Sequence, residues 1–169
     1  MDIRFAIVTS SDTRSLEQDS AGAALASLIE AAGWQVVSHV VVHDEVSELK
    51  DAIIAATDEA HADVVLTCGG TGLSMRDVTP EATAAVCQRN VPGIAEAIRA
   101  MSLTKTKNAM LSRAVCMQRG CALVVNFPGS ERAARECWEV LAGVVEHAME
   151  MTAGKHHGQQ VAPDPTPAA

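Results

Sequence analysis

The sequence predicts an α/β fold: one domain in three layers, a mostly parallel sheet with helices packed on both faces. Short apolar runs of strand length alternate with stretches whose apolar residues recur at helical spacing. A chain of 169 residues can bury one substantial core but leaves little room for a second. Hydrophobic residues make up 48% of it and aromatics only 2%, so that core must be built from Ala, Val, Leu, Ile and Met.

Each element follows from local chemistry. Ile3 to Thr9 is an almost unbroken apolar run ended by Ser10, Ser11 and Asp12, the pattern of a central strand buried on both faces. A helix follows from Asp19 or Ser20, either able to cap it, to Ala32, with Ala24, Leu25, Leu28 and Ile29 on one face and Gly33 as the stop. Valine-rich Trp34 to Val42 is the second strand, Val46 to Ala60 a helix with Val46, Leu49, Ile53 and Ala56 in register, and Ala62 to Thr67 the third strand. This β-α-β-α-β series calls for parallel pairing through right-handed crossovers. Cys68 to Val78 is a glycine-rich loop, after which Thr79 as N-cap and Pro80 at the first helical position open another helix. Pro92-Gly93 restarts a helical stretch to Ser102, whose Ile94 to Met101 portion is a candidate interface between copies. Arg113 to Gln118 and Cys121 to Phe127 read as strands around an Arg119-Gly120 turn, and Ser130 starts a last helix with Cys137, Leu141, Val144 and Ala148 on its buried face. From Gly154 onward Gly, His, Gln, Pro and Ala dominate, so residues 1–153 form the predicted domain and 154–169 a disordered tail.

A formal charge of −8 argues against a duplex-binding footprint, and the absence of Tyr removes the stacking platform used by single-strand binders. Nucleic acid is therefore not an expected partner. No apolar run approaches the roughly 20 residues of a membrane span, and Met1 to Arg4 do not read as a signal peptide, so a cytoplasmic protein is expected. Cys68, Cys87, Cys116, Cys121 and Cys137 are scattered, without metal-ligand spacing, and read as reduced thiols. A phosphorylated ligand would have to overcome the acidic surplus locally, through backbone N–H groups, a few Arg residues or a metal.

In an open parallel sheet ligands bind beyond the carboxyl ends of the strands. Thr67-Cys68-Gly69-Gly70-Thr71-Gly72 leaves a strand there, and its glycines allow successive N–H groups to converge on an anion, with Thr71 and Ser74 adding hydroxyls. It is neither a Walker A loop nor the dinucleotide fingerprint. Asp77 lies two residues before the helix cap beside Arg76, where no helix requires it, and Asp44 lies at the same sheet edge. The pair can hold Mg²⁺ with a nucleotide's phosphates completing the shell, or can be two solvated loop acids. Glu81 suits a first helical turn, Pro128-Gly129-Ser130 joins a rigid turn to another helix start, and Arg113 after Ser112 can clamp phosphate or pair with an acid. Asp12 can contact ligand or cap a helix.

These motifs, with Arg76-Asp77-Val78-Thr79-Pro80-Glu81-Ala82, Leu111-Ser112-Arg113 and Phe127-Pro128-Gly129-Ser130, resemble the MoaB/MogA family of molybdenum cofactor biosynthesis over about residues 3 to 151. Ser11-Asp12, Asp19-Ser20-Ala21-Gly22 and Asp44-Glu45 look like its amino-terminal motifs. The resemblance implies an α/β protein, commonly a homotrimer, that binds molybdopterin and, in active members, adenylylates it with Mg·ATP, releasing pyrophosphate; the molybdenum insertase is the implied protein partner. It implies that Gly69, Gly70, Thr71, Gly72 and Ser74 hold the molybdopterin phosphate and that Asp44 and Asp77 are the acids on which adenylylation depends. Ser112, Arg113, Pro128, Gly129 and Ser130 would line the rest of the pocket, with Asp12, Arg76 and Glu81 as further candidates. Cys68 and Glu131 depart from the family pattern at the pocket edge without removing a donor or an acid. The alternative is a carrier that binds molybdopterin without nucleotide chemistry.

Overall fold

Six strands form one sheet in the spatial order β2-β1-β3-β6-β5-β4 in this computed structural model, which describes residues 1–154. They are β1 (Arg4–Ser10), β2 (Gln35–Val42), β3 (Val64–Cys68), β4 (Arg89–Asn90), β5 (Cys116–Arg119) and β6 (Ala122–Phe127). β2, β1, β3 and β6 run parallel, while β5 and β4 complete the sheet as antiparallel strands. The helices are α1 (Ser20–Ala31), α2 (Val46–Ile54), α3 (Thr79–Val86), α4 (Pro92–Leu103), α5 (Glu131–Ala142) and α6 (Val145–Thr152).

Strand alternation divides the core into two layers. Phe5, Ile7, Val64, Leu66, Val125 and Phe127 face α1, α4 and α5 through Leu25, Ile29, Ile98, Cys137 and Leu141. Ala6, Val8, Val65 and Val124 face α2 and α3 through Leu49, Ile53, Ala82 and Val86. All four aromatics lie on the first face, with Phe5 stacked on Trp34 at 5.5 Å between ring centroids and Trp138 edge-on to both. The mostly parallel three-layer expectation holds.

The differences have local causes. The helix expected to reach Ala60 ends at Ile54 and continues as one wide π turn over Ala55–Glu59; the Thr57 hydroxyl donates back to the Ile53 and Ile54 carbonyls, competing with the helical ladder there. The single last helix is two: Gly143 ends α5, Val144 leaves helical geometry at φ −125, and Val145 rather than Val144 enters the core. Residues Arg113 to Val115, read as strand, instead anchor other segments: the Arg113 N–H donates to the Thr71 carbonyl, and Val115 exchanges bonds with Asn126. Thr79 does not cap α3; Val78 holds that position and Pro80 lies within the first turn. The two-residue β4 and the 3-10 turn over Lys107–Leu111 are too short to carry a periodic signal. Ala95 and Ile98 of the proposed interface helix are buried in the chain's own core. The predicted tail lies, from residue 155, outside the described residues.

Candidate phosphate and nucleotide site

The parallel register brings the carboxyl ends of β1, β2, β3 and β6 to one rim, and with them Ser10 to Asp12, Asp44 and Glu45, Gly69 to Asp77, and Pro128 to Ser130. Gly69 and Gly70 take left-handed backbone at φ 94 and φ 63. A Cβ on Gly69 would stand 2.7 Å from the Ser10 carbonyl oxygen, and one on Gly129 would stand 3.2 Å from Gly69 Cα, so the β3 and β6 loops meet backbone to backbone. The Gly69 N–H donates to the Phe127 carbonyl at 3.0 Å and is therefore unavailable to an anion, which corrects its expected role as a donor. The N–H groups of Gly70, Thr71 and Gly72 make no hydrogen bond within the described protein. Ser130 caps α5, accepting the Ala133 N–H at 3.4 Å, and the Arg14 guanidinium donates to the Gly129 carbonyl at 2.9 Å.

The acidic half of the rim is assembled from three loops. Asp12 and Asp44 exchange bonds, each carboxylate accepting the other's backbone N–H, at 3.1 and 3.2 Å, and the Ser10 hydroxyl donates to Asp44 Oδ1. Arg76 lies across Asp12 and Glu45, with Nη2 2.9 Å from each Asp12 oxygen and Nη1 2.7 Å from Glu45 Oε1. The backbone bond from Asp44, aided by Arg76, holds the Asp12 carboxyl below its ordinary range. Asp77 accepts the Ser74 N–H at Oδ2, 2.9 Å away, and leaves Oδ1 free; a Cβ on Gly72 would reach within 2.9 Å of that same Oδ2, so the bare glycine makes room for the acid. The Ser74 hydroxyl accepts the Arg76 N–H at 3.2 Å.

Arg113 faces the loop. Its Nε donates to the Gly72 carbonyl at 2.7 Å, Nη2 to the Asp77 carbonyl at 2.5 Å, and Nη1 to Glu81, whose carboxyl it holds below the usual range. Ser112, Pro128, Thr71 and Gly72 line a cavity of about 500 Å³ that also takes in Leu73 and Ile98, large enough for a bicyclic organic group beside the loop. The Thr79 hydroxyl is fully buried and unpartnered, packed against Gly70. Cys68 closes β3 rather than lying in the loop; burial pushes its thiol far above its ordinary range, which rules it out as a ready nucleophile.

Among the described residues no group of three His, Cys, Asp or Glu side chains is placed to hold a metal. Asp44 and Asp77 nonetheless offer the hard oxygen donors that suit Mg²⁺, an ion usually held by one or two carboxylates with substrate phosphates and water. Ser10, Arg14 and Glu45 were not among the expected site residues. Ser10 and Glu45 lie beside the expected loop acids in sequence, the one signal that could have found them, whereas nothing local marks Arg14.

Unpaired loop N–H groups, an acidic rim and an adjoining cavity meet at the strand carboxyl ends, the place where open-sheet α/β proteins bind their ligands. The chain belongs to the MoaB/MogA family of molybdenum cofactor biosynthesis: the family model described as "Probable molybdopterin binding domain" matches residues 6–147. It is 40% identical over 136 residues to molybdenum cofactor biosynthesis protein B of Bacillus cereus, covering 79% of this chain and 80% of that one. It is 37% identical over 116 residues to molybdopterin adenylyltransferase of Helicobacter pylori, covering 69% of this chain and 66% of that one. The crystal structure of the molybdopterin biosynthesis enzyme MoaB of Thermus thermophilus superposes with a TM-score of 0.82 at 38% identity, over 90% of this chain and 97% of the other. The molybdenum cofactor synthesis protein cinnamon of Drosophila melanogaster is much longer, and this chain spans 25% of it at 36% identity.

Proposed function

We propose that this protein is a molybdopterin adenylyltransferase that uses Mg·ATP. The observation that carries the reading is the meeting, in one loop, of unpaired N–H groups at Gly70, Thr71 and Gly72 with Asp77. Those N–H groups would receive the terminal phosphate of molybdopterin, while the cavity bordered by Ser112 and Pro128 takes the pterin. An oxygen of that phosphate attacks the α-phosphorus of ATP; the new P–O bond forms as the bond to the bridging oxygen of pyrophosphate breaks, and no covalent enzyme intermediate is needed. Such a displacement depends on alignment and charge neutralisation more than on a strong base. Asp44 and Asp77 would hold Mg²⁺, which offsets the charge of the triphosphate, and Arg76 can turn from Asp12 and Glu45 toward the leaving pyrophosphate.

The test is incubation with molybdopterin, ATP and Mg²⁺, with mass spectrometry for AMP joined to the pterin; absence of product beside an active control overturns the reading. A carrier without nucleotide chemistry is the second reading, favoured by the engagement of both Asp44 oxygens within the protein, by the Ser10 hydroxyl and the Asp12 N–H. It predicts molybdopterin binding with no ATP consumption. A homotrimer, delivery of the product to a molybdenum insertase and a cytoplasmic location complete the proposal. No helix among the described residues is long and apolar enough to cross a membrane.

A further inference from the structure

The geometry points to Arg113 and Glu81 as a positioning clamp that sets the glycine loop and Asp77, rather than as ligands of the phosphate; this inference rests on the adenylyltransferase reading for its kinetic consequence but not for its structural one. The segment from Gly69 to Val78 contains no helix or strand, yet it carries both the anion-facing N–H groups and an acid. Its entry and exit are tied together by one residue. The Arg113 backbone N–H donates to the Thr71 carbonyl at 2.9 Å and its Nε to the Gly72 carbonyl at 2.7 Å, while Nη2 reaches the Asp77 carbonyl at 2.5 Å. Glu81, in the first turn of α3, accepts from Nη1 and, at 3.3 Å, from Nη2, which orients the planar cation. The guanidinium thus engages carbonyl groups of the loop, whereas an anion seeks its N–H groups. Asp77 is fixed twice, through its own carbonyl by Arg113 and through Oδ2 by the Ser74 N–H. Only a rigid fork can meet two carbonyls and a carboxylate at once; an ammonium is a point donor on a flexible stem.

Arg113→Lys should lower kcat roughly 10- to 100-fold through misplacement of Asp77 while leaving the Kd for molybdopterin, read by fluorescence titration, within about 3-fold. Glu81→Gln, which keeps an acceptor but loses the charge, should produce a smaller fall in the same sense. The double variant should be little worse than Arg113→Lys alone, because both changes break one device. Amide hydrogen exchange at Ser74, Arg76 and Asp77, whose N–H groups are bonded within the loop, should accelerate in both variants while β3 amides stay protected. A rise of more than about 30-fold in the Kd with kcat unchanged at saturation would make Arg113 a phosphate ligand and overturn the clamp. Unaltered loop exchange in both variants would overturn it as well. Wild-type protein that makes no adenylylated pterin defeats the proposed function alone, and loop exchange then decides the clamp.

Discussion

Gly70 and Gly72 serve the same loop for different reasons. Gly70 needs its left-handed φ of 63, and a Cβ there would collide with the Thr79 hydroxyl, so Gly70→Ala should cost about 1 to 3 kcal/mol in urea denaturation. Gly72 has no left-handed backbone, but its Cβ would press within 2.9 Å of Asp77 Oδ2. Gly72→Ala should therefore leave stability within about 1 kcal/mol and act on turnover instead. Asp77→Asn should reduce turnover by orders of magnitude and leave the Kd for molybdopterin largely unchanged; collapse of binding would mean that Asp77 shapes the molybdopterin pocket, through the Ser74 N–H it holds, and not the nucleotide side. Asp77 stood out in the sequence because no cap or core position required it, and Asp44 because it lies in the loop after the second strand, at the same edge. The orientation of Arg113 did not, since an Arg before a strand has the same local signature whether it meets a phosphate or a neighbouring loop. The Thr79 hydroxyl misled for a related reason: Thr before Pro is a sound capping pattern, but the Thr79 N–H is held by the Gly70 carbonyl at 3.0 Å, which moves the helix start one residue back.

At the scale of elements, the parallel strands were legible because burial on both faces writes continuous Val, Leu and Ile runs, and α1 because Asp19 and Gly33 bracket it. The break between α5 and α6 was not, since Val144 and Ala148 keep helical spacing across the Gly143 kink. Asp19 joins the two ends of its βα unit. Its buried carboxylate accepts the Gly22 N–H at 2.9 Å, the Thr9 hydroxyl at 2.6 Å and His39 Nε2 at 2.8 Å. Burial alone would raise its pKa, but the bonds from His39, Thr9 and Gly22 outweigh it and hold the carboxyl below its ordinary 3.8. A depressed pKa contributes stability that is present above the unfolded value and lost as pH falls through the folded one. The Tm gap between wild type and Asp19→Asn should therefore be full above about pH 5 and close progressively below about pH 4. A gap constant down to pH 2 would show that the charge contributes nothing. For α5, Ser130→Ala removes the cap and should cost about 1 kcal/mol by chemical denaturation.

Across the whole molecule, the charge of −8 and the proposed binding of two phosphorylated substrates pose one electrostatic problem with two local solutions. The glycine loop would meet an anion with neutral N–H groups, which need no metal. The neighbouring rim gathers Asp12, Asp44 and Glu45 around one Arg76, with Asp77 on the adjoining loop, so a bare triphosphate approaching it meets net repulsion. ATP binding should consequently depend on divalent metal and molybdopterin binding should not. At constant ionic strength, excess EDTA should weaken ATP binding in titration calorimetry by more than about 10-fold, equivalent to about 1.4 kcal/mol, while molybdopterin affinity stays within about 2-fold. Replacing both Asp44 and Asp77 by Asn removes part of the repulsion together with the proposed Mg²⁺ ligands. That variant should bind metal-free ATP more tightly than wild type does, yet gain little when Mg²⁺ is restored. Wild-type ATP affinity that ignores EDTA, or a double variant that gains as much from Mg²⁺ as wild type, would place the metal away from these two acids and leave the acidic rim to another role.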